Sequence, residues 1–329
     1  MKKVSINLVT WNGARYVIDC LESIFGQTLT DYGVLIIDNN STDDTVDIIM
    51  EKYPHLKVVQ HRENFGFSKA HNQAIHWSKS EYVVVLNQDV VLEPDFLEKM
   101  VGVMDSNDRI GSATGKILRL QDNSKTKYID SVGLQVYKNH KFAEVGAGEQ
   151  DESQYDAVEE VFGVSGACPM YRRDALESVK MDNQFFDESF GMVYKEDVDL
   201  AYRLRYKGWL SYKVPMAGAY HDRTTGVSTK EKNKSIIKSR RLRSRFVNFQ
   251  SYRNHLYVVA KNLPAFNFKY FWPVFWYELF KFLYVLVFET RNVKAMSQVI
   301  KNRKMLKEKR NEILGGKVIQ LSDLDKWYK

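Results

Sequence analysis

The sequence predicts an α/β fold, an open and mainly parallel sheet flanked by helices and followed by a basic, aromatic helical extension. Three observations carry that expectation. Strand and helix signals alternate through the first hundred residues. One strand, Val83-Val84-Val85-Leu86, is apolar throughout, as a strand covered on both faces must be, and runs into Asn87-Gln88-Asp89. Charge also divides sharply: residues 1–225 hold 25 Lys and Arg against 34 Asp and Glu, whereas residues 226–329 hold 23 against 7. We therefore expect one large acidic domain over 1–225 and a separate extension over 226–329.

Residues 4–10 read as the first strand, and 14–25 as an amphipathic helix with Val17, Cys20, Leu21 and Ile24 on one face. A strand over 34–38 is followed by Ser41-Thr42-Asp43-Asp44, which supplies capping groups for a helix to about residue 52. Residues 56–60 form a third strand, 68–78 a helix, and 82–86 the apolar strand. Pro94 fits the first turn of the next helix, where its missing N–H costs little. This alternation implies a Rossmann-like sheet. Residues 110–165 change to short β-rich pieces, and a helix over 196–207 precedes a strand over 209–214. From residue 228 the chain is basic and helical.

With 329 residues and 44% hydrophobic content the chain can bury a substantial core. Its two cysteines make no disulfide framework and fit a reducing compartment. The N-terminus alternates like a strand and has no apolar stretch of signal-peptide length.

Open α/β sheets bind ligands at the carboxyl ends of their strands, so the polar residues there are the candidates. Val9-Thr10-Trp11-Asn12-Gly13 closes the first strand; it is either an ordinary turn or the floor of a ligand pocket. Asp38, in Ile37-Asp38-Asn39-Asn40, could accept from the imide N–H of a uracil or thymine, or serve the helix cap beside it. In Asn64-Phe65-Gly66-Phe67 a glycine precedes a helix whose first amides could face a diphosphate. Glu196, Asp197 and Asp199 open a helix; they complement its dipole, or one of them acts as a general base. They cannot all point one way, so at most two face a site. Asp89 suits a divalent metal. With Asn87 unable to carry charge, His221 is a candidate second ligand that Mn²⁺ accepts readily.

The runs VTWNG (9–13), IDNNSTD (37–43), NFGFSKAHN (64–72), LNQD (86–89), VSGACPMYRR (164–173), FDESF (186–190) and EDVDLAYRLRYKGW (196–209), with His221, together resemble glycosyltransferase family 2. The pattern is most similar to rhamnosyltransferase-like bacterial members and covers roughly residues 4–225. The resemblance implies a GT-A fold and inverting transfer of a sugar from a nucleoside diphosphate donor, dTDP-rhamnose or a UDP-sugar, with Mg²⁺ or Mn²⁺. By motif position, Asp38 would bind the base and Thr10 and Asn12 would line the nucleotide pocket. Trp11, Asn40, Asn64, Gly66, Phe67, Asn72, Gln88 and Gly166 are expected around the donor. Asn87 and Asp89 occupy the family's aspartate-x-aspartate motif, with Asp89 the metal ligand. Asp197, paired with Glu196, matches the catalytic base, and His221 the histidine that completes the metal shell. The implied acceptor is a glycan or lipid-linked glycan in cell-surface polysaccharide synthesis.

The extension separates the remaining partner classes. Residues 229–245 carry eight Lys and Arg and one acid, and residues 270–288 carry ten aromatics interrupted by Glu278 and Lys281. Two central charges disfavour a transmembrane span. An in-plane helix on an anionic membrane through 229–310 fits better, with a cap packed on the catalytic domain as the other reading. That places the chain on the cytoplasmic membrane face. No nucleic-acid-binding module accompanies the charge. A sugar nucleotidyltransferase would need a Gly-rich basic first loop, which residues 10–14 do not form. The non-catalytic alternative is a scaffold that binds a sugar nucleotide without turnover.

Overall fold

The computed structural model describes residues 2–121, 124–222, 244–263 and 268–329. Most of the basic run at 229–245 lies outside the described residues. The strands and helices β1 (Val4–Thr10), α1 (Val17–Phe25), β2 (Tyr32–Asp38), α2 (Thr45–Lys52), β3 (Val58–Gln60), α3 (Gly66–Trp77) and β4 (Tyr82–Asn87) follow in the alternation read from the sequence. The chain continues through β5 (Val90–Leu92), α4 (Phe96–Asp105), β6 (Ile110–Gln121), β7 (Ser124–Ser131), β8 (Leu134–Val136), β9 (Phe142–Glu144) and β10 (Glu159–Glu160). Then come β11 (Met170–Arg172), α5 (Arg173–Ser178), α6 (Glu196–Tyr206) and β12 (Leu210–His221).

The main sheet has the order β10-β12-β6-β11-β4-β1-β2-β3, with β5 on β12 and β7 on β6. The half from β4 to β3 is all parallel. In the other half β11 runs antiparallel between β4 and β6, whereas β12 is parallel to β6. Helices cover both faces, and β4 shows how. Tyr82, Val84 and Leu86 pack with Val17, Leu21, Phe96 and Met100 from α1 and α4. Val83 and Val85 point the other way, to Ile75, Leu176, Leu200 and Leu204 from α3, α5 and α6. These five residues of β4 are fully buried, each Val or Leu stabilising by about 1.5–3 kcal/mol relative to exposure.

β12 runs past the strand expected to end at 214. The register shifts between Val214 and Gly218, and this bulge absorbs Pro215, which cannot donate to a regular ladder. The extension brings His221 opposite Val90 of β5.

The C-terminal helices are α7 (Arg245–Asn262), α8 (Phe268–Phe288), α9 (Val293–Lys301) and α10 (Arg303–Gly315). The charge boundary near 225 is not a packing boundary. Val198, Tyr202 and Tyr206 of α6 share one apolar cluster with Tyr257 and Val258 of α7 and Leu306 and Ile313 of α10. Ion pairs run through the same contact. Buried Lys261 pairs with both Asp187 and Asp199, the latter at 2.7 Å. Lys309 Nζ reaches Asp187 at 2.6 Å, and Asn262 donates to Asp199 at 2.7 Å. Burial alone would raise the Asp187 carboxyl, but Lys261 and Lys309 hold it well below the usual carboxylate range.

α8 differs from its neighbours. Residues Tyr270–Phe288 are long and apolar enough to cross a membrane, with mean hydropathy 1.4, and only 6% of that stretch is buried. Glu278 and Lys281 both turn inward: Glu278 Oε1 lies 2.5 Å from His255 Nε2 of α7, and Lys281 sits over the Tyr252 and Tyr277 rings. The outward face is left apolar, with Trp272 61% and Phe280 63% exposed.

Candidate active site

Strand register gathers the predicted residues at one sheet edge. Thr10 pairs with Asp38 across β1 and β2, and Val9 with Asn87 across β1 and β4. Two cavities open there. One, of ≈ 480 Å³, is lined by Thr10, Trp11, Asn64, Gly66, Phe67, Asn87, Gln88 and Asp89 among the expected residues. The other, of ≈ 550 Å³, is lined by Phe67, Asn87, Asp89, Gly166, Glu196, Asp197 and His221. Phe67, Asn87, Asp89 and Val193 belong to both, so Asp89 stands where the cavities meet. The first is largely apolar, with Trp11 and Phe246 exposed on it, which suits a flat heteroaromatic ring. The second carries the titratable groups.

Asp89 and His221 are 132 positions apart, yet His221 Nε2 lies 3.4 Å from Asp89 Oδ1. The backbone joins them too, since Asp222 N–H donates to Asp89 C=O at 2.9 Å. On its other side His221 Nδ1 is 2.8 Å from Asp130 Oδ2. Asp130 falls between Ile129 and Ser131, which pair with the consecutive residues Leu118 and Ile117. It is thus the extra residue of a β-bulge, a device that re-aims a side chain. Burial disfavours charge on His221, but Asp130 and Asp89 outweigh it and raise the imidazolium to about 10.

A carboxylate and an imidazole sharing one opening, with a second carboxylate behind the imidazole, fit a divalent ion with mixed N and O ligands. Among the described residues no three His, Cys, Asp or Glu side chains form a metal-ligand group. Asp89 and His221 are the two side chains here that could contribute to a metal shell, with the remaining oxygens left to donor phosphates.

The start of α6 separates its three acids. Asp199 turns away from the cavity into the buried pairs with Arg203 and Lys261. Asp197 faces the cavity and its Oδ2 accepts from Gly166 N–H at 3.3 Å. Glu196 is buried, its Oε2 has no hydrogen-bond partner, and burial followed by the charge of Asp197 pushes its carboxyl up to about 8. The turn before α6 holds Tyr194 and Lys195 at φ 78° and 75°, a left-handed pair that L-residues adopt only when their surroundings impose it. Asn254 of α7 supplies that constraint, its Nδ2 donating to the carbonyls of Phe190, Val193 and Tyr194 at 2.8–2.9 Å.

Several expected donor contacts are otherwise engaged. Asp38 is buried outside the cavity linings, its carboxylate accepting from Thr10 Oγ1 and from Ser41 N and Oγ. Asn12 clamps the loop after β2 through Ser41 and Thr42, and Asn40 lies in that loop at φ 65°. Neither is among the described residues that line these two cavities. Asn72 spends its amide on the backbone of Phe185 and Phe186 and on Glu188. Gln88 bridges N–H and C=O of Trp11 at 2.8 and 2.9 Å, a brace that shapes the cavity wall. The first amides of α3 are not open to a phosphate either: Gly66 N–H donates to Asn64 Oδ1 and Phe67 N–H to Met192 C=O. Gly66 has φ 81°, and a Cβ there would come within 2.7 Å of Met192 Cα, so this turn seats the 191–193 loop.

The sequence reading missed Asp130, Asn39 and His71, and Ser244 at the N-cap of α7 with Phe246, Val247 and Ser251 of that helix, which close the cavities from the C-terminal side. Asn39 and His71 lay inside quoted motifs; the others carry no spacing signal.

Comparison with known proteins identifies the family and the fold. The chain is 28% identical over 234 residues, 65% of its length and 74% of the relative's, to the N-acetylglucosaminyl-diphospho-decaprenol L-rhamnosyltransferase of Mycobacterium tuberculosis. It is 38% identical over 98 residues to the chondroitin synthase of Escherichia coli, a match covering 29% of this chain and only 14% of that protein. Among solved structures, GalNAc-T7 with UDP, GalNAc and Mn²⁺ superposes with a TM-score of 0.60 at 13% identity, over 79% of this chain and 48% of that one. The mannosyltransferase PcManGT from Pyrobaculum calidifontis, with GDP-Man and Mn²⁺, gives 0.52 at 18% identity, over 92% and 75%. These neighbours share the GT-A glycosyltransferase fold. The glycosyl transferase family 2 model matches residues 5–180, and the chain belongs to that family.

Proposed function

We propose that this glycosyltransferase is a metal-dependent, inverting enzyme that moves a sugar from a nucleoside diphosphate onto a hydroxyl of a lipid-linked glycan. The observation that carries the reading is the shared opening: Asp197 faces the cavity in which Asp89 and His221 meet. The apolar cavity beside it takes the nucleoside, with Trp11 and Phe67 against the base and Asn64 and Asn39 at its polar rim. Mg²⁺ or Mn²⁺ held by Asp89 and His221 supplies positive charge to the leaving diphosphate.

The pair Glu196 and Asp197 divides the acid–base work. Burial keeps Glu196 protonated near neutral pH, which lets Asp197 remain the ionised partner. Asp197 accepts the proton of the acceptor hydroxyl. The oxygen forms its bond to the anomeric carbon as the bond to the diphosphate oxygen breaks, and the nucleoside diphosphate leaves with that electron pair. A single displacement of this kind inverts the anomeric centre. The relative from M. tuberculosis, named for an L-rhamnosyl donor and a diphospho-decaprenol acceptor, supports dTDP-rhamnose as the first donor to try and a role in cell-surface polysaccharide synthesis.

The exposed aromatic face of α8 lies in the plane of an anionic membrane, at its cytoplasmic surface, with Trp272 and Trp276 at headgroup level. Within residues 270–288 both charges, Glu278 and Lys281, turn toward α7, which leaves the outer face of that stretch apolar for lipid.

The test is a screen of thymidine, uridine and guanosine diphosphate sugars with Mg²⁺ or Mn²⁺ for binding and slow hydrolysis. One class should bind and release its nucleoside diphosphate in a metal-dependent way. Binding without hydrolysis for every class would favour a scaffold without turnover, and absence of both would overturn the donor reading.

A further inference from the structure

A third cavity, of ≈ 540 Å³, lies between the first turn of α7 and the end of α8. It is separate from the two that meet at Asp89. Its walls are Phe246, Phe249, Tyr284 and Phe288, and two exposed guanidiniums, Arg245 and Arg291, line it as well. Glu289 also lines it, its carboxylate held by Asn292 Nδ2 at 2.6 Å. Aromatic walls with a pair of arginines match a ligand that is apolar along most of its length and anionic at one point. Arginine forks bind phosphate oxygens bidentately.

Position narrows the ligand further. Phe288 ends the outward apolar face of α8 and also lines the cavity, so the apolar face and the cavity adjoin. Phe246 lines both this cavity and the nucleoside cavity. On α7, residues 245, 248 and 249 face the third cavity, whereas 247 and 251 face the catalytic cleft. The two sites thus stand across one helix, roughly 10 Å wide with its side chains.

We infer that this cavity holds the phosphate of a long-chain lipid phosphate whose glycan head is the acceptor, with Arg245 and Arg291 reading the phosphate. The inference rests on the reading of the cleft as a sugar-transfer site, and it names the acceptor's anchoring group. The chain lies on α8, the phosphate sits at the arginines, and the head crosses α7 near Ser251, which lines the cavity of Asp197.

The probe is farnesyl diphosphate, titrated by calorimetry against the full chain in EDTA, so that no metal recruits it to Asp89. Farnesol and inorganic diphosphate are the comparison arms. Farnesyl diphosphate should bind the native protein and the Asp89→Ala variant alike, and should bind an Arg245→Gln/Arg291→Gln variant about tenfold or more weakly. Arg245→Lys/Arg291→Lys, which keeps the charge but loses the bidentate fork, should bind with an affinity between the native and Gln proteins, and unchanged nucleotide binding in both double variants reports an intact fold. Equal affinity in the Gln variant overturns the site. So does loss of binding in Asp89→Ala, which would place the probe in the donor cleft, or inorganic diphosphate binding as tightly as the lipid. If no sugar nucleotide binds or is hydrolysed while arginine-dependent lipid binding persists, the transfer reading falls and the lipid site stands.

Discussion

His221 Nδ1 lies 2.8 Å from Asp130 Oδ2, and Asp130 has no solvent exposure. A carboxylate behind a ligating histidine fixes the ring's orientation and raises its basicity at the other nitrogen, here the Nε2 that faces Asp89. Asp130→Asn should weaken Mn²⁺ binding in the presence of nucleoside diphosphate by about 10–100-fold, read by the free Mn²⁺ signal in electron paramagnetic resonance. Asp89→Ala should weaken it at least as much. Native affinity in Asp130→Asn would remove Asp130 from the metal site.

Glu196 gives a pH signature in stability. Its folded carboxyl is raised from 4.5 to about 8 by burial and by Asp197, so between those values the folded state binds more protons than the unfolded state. Stability therefore falls as pH rises through that window, by up to about 1.4 kcal/mol per unit from this group. Glu196→Gln should flatten the slope, so that the variant gains on the native protein between pH 5 and pH 8 in urea unfolding. Parallel profiles for the two proteins would contradict a protonated Glu196.

The C-terminal helices are expected to be essential to the catalytic fold. Lys261→Met leaves Asp187 and Asp199 short of a buried cation, which costs about 3–5 kcal/mol. Asn254→Ala removes the clamp on the 190–194 carbonyls. It should reduce turnover while thermal unfolding changes by less than in Lys261→Met. A fully active, equally stable Lys261→Met protein would show that the extension merely accompanies the domain.

Replacing Trp272, Trp276 and Phe280 together by serine should lower sedimentation with anionic vesicles and leave nucleotide binding unchanged, because these side chains are exposed on the face away from α7. Vesicle binding that survives the triple change would assign α8 another role.

Much of the parallel half of the sheet was legible because apolar runs and helical periodicity are local. Val83 to Leu86 could only be a doubly covered strand, and the structure divides those residues between two cores. Asp89 and His221 were candidates by their chemistry and by resemblance, but their meeting rests on the register of β5 on β12, which has no local trace. Asp130 owes its aim to a bulge, which composition does not mark. Asn12, Asn72 and Gln88 illustrate a different limit. An amide bonds a backbone as readily as a ligand, and only the fold shows that these three hold loops. Lys261 and Lys309 lie in the basic extension, and their acids sit 62 or more residues away in the preceding domain, a separation no local pattern marks.

Asp197 carries the central claim. In Asp197→Asn the side chain keeps its size and its contact beside Gly166 but cannot accept the hydroxyl proton. Sugar transfer should fall by about 10²–10⁴-fold, while the dissociation constant for the nucleoside diphosphate sugar stays within about twofold of native. Native turnover in Asp197→Asn, with donor binding intact, would contradict the assignment of the base and the single-displacement account built on it.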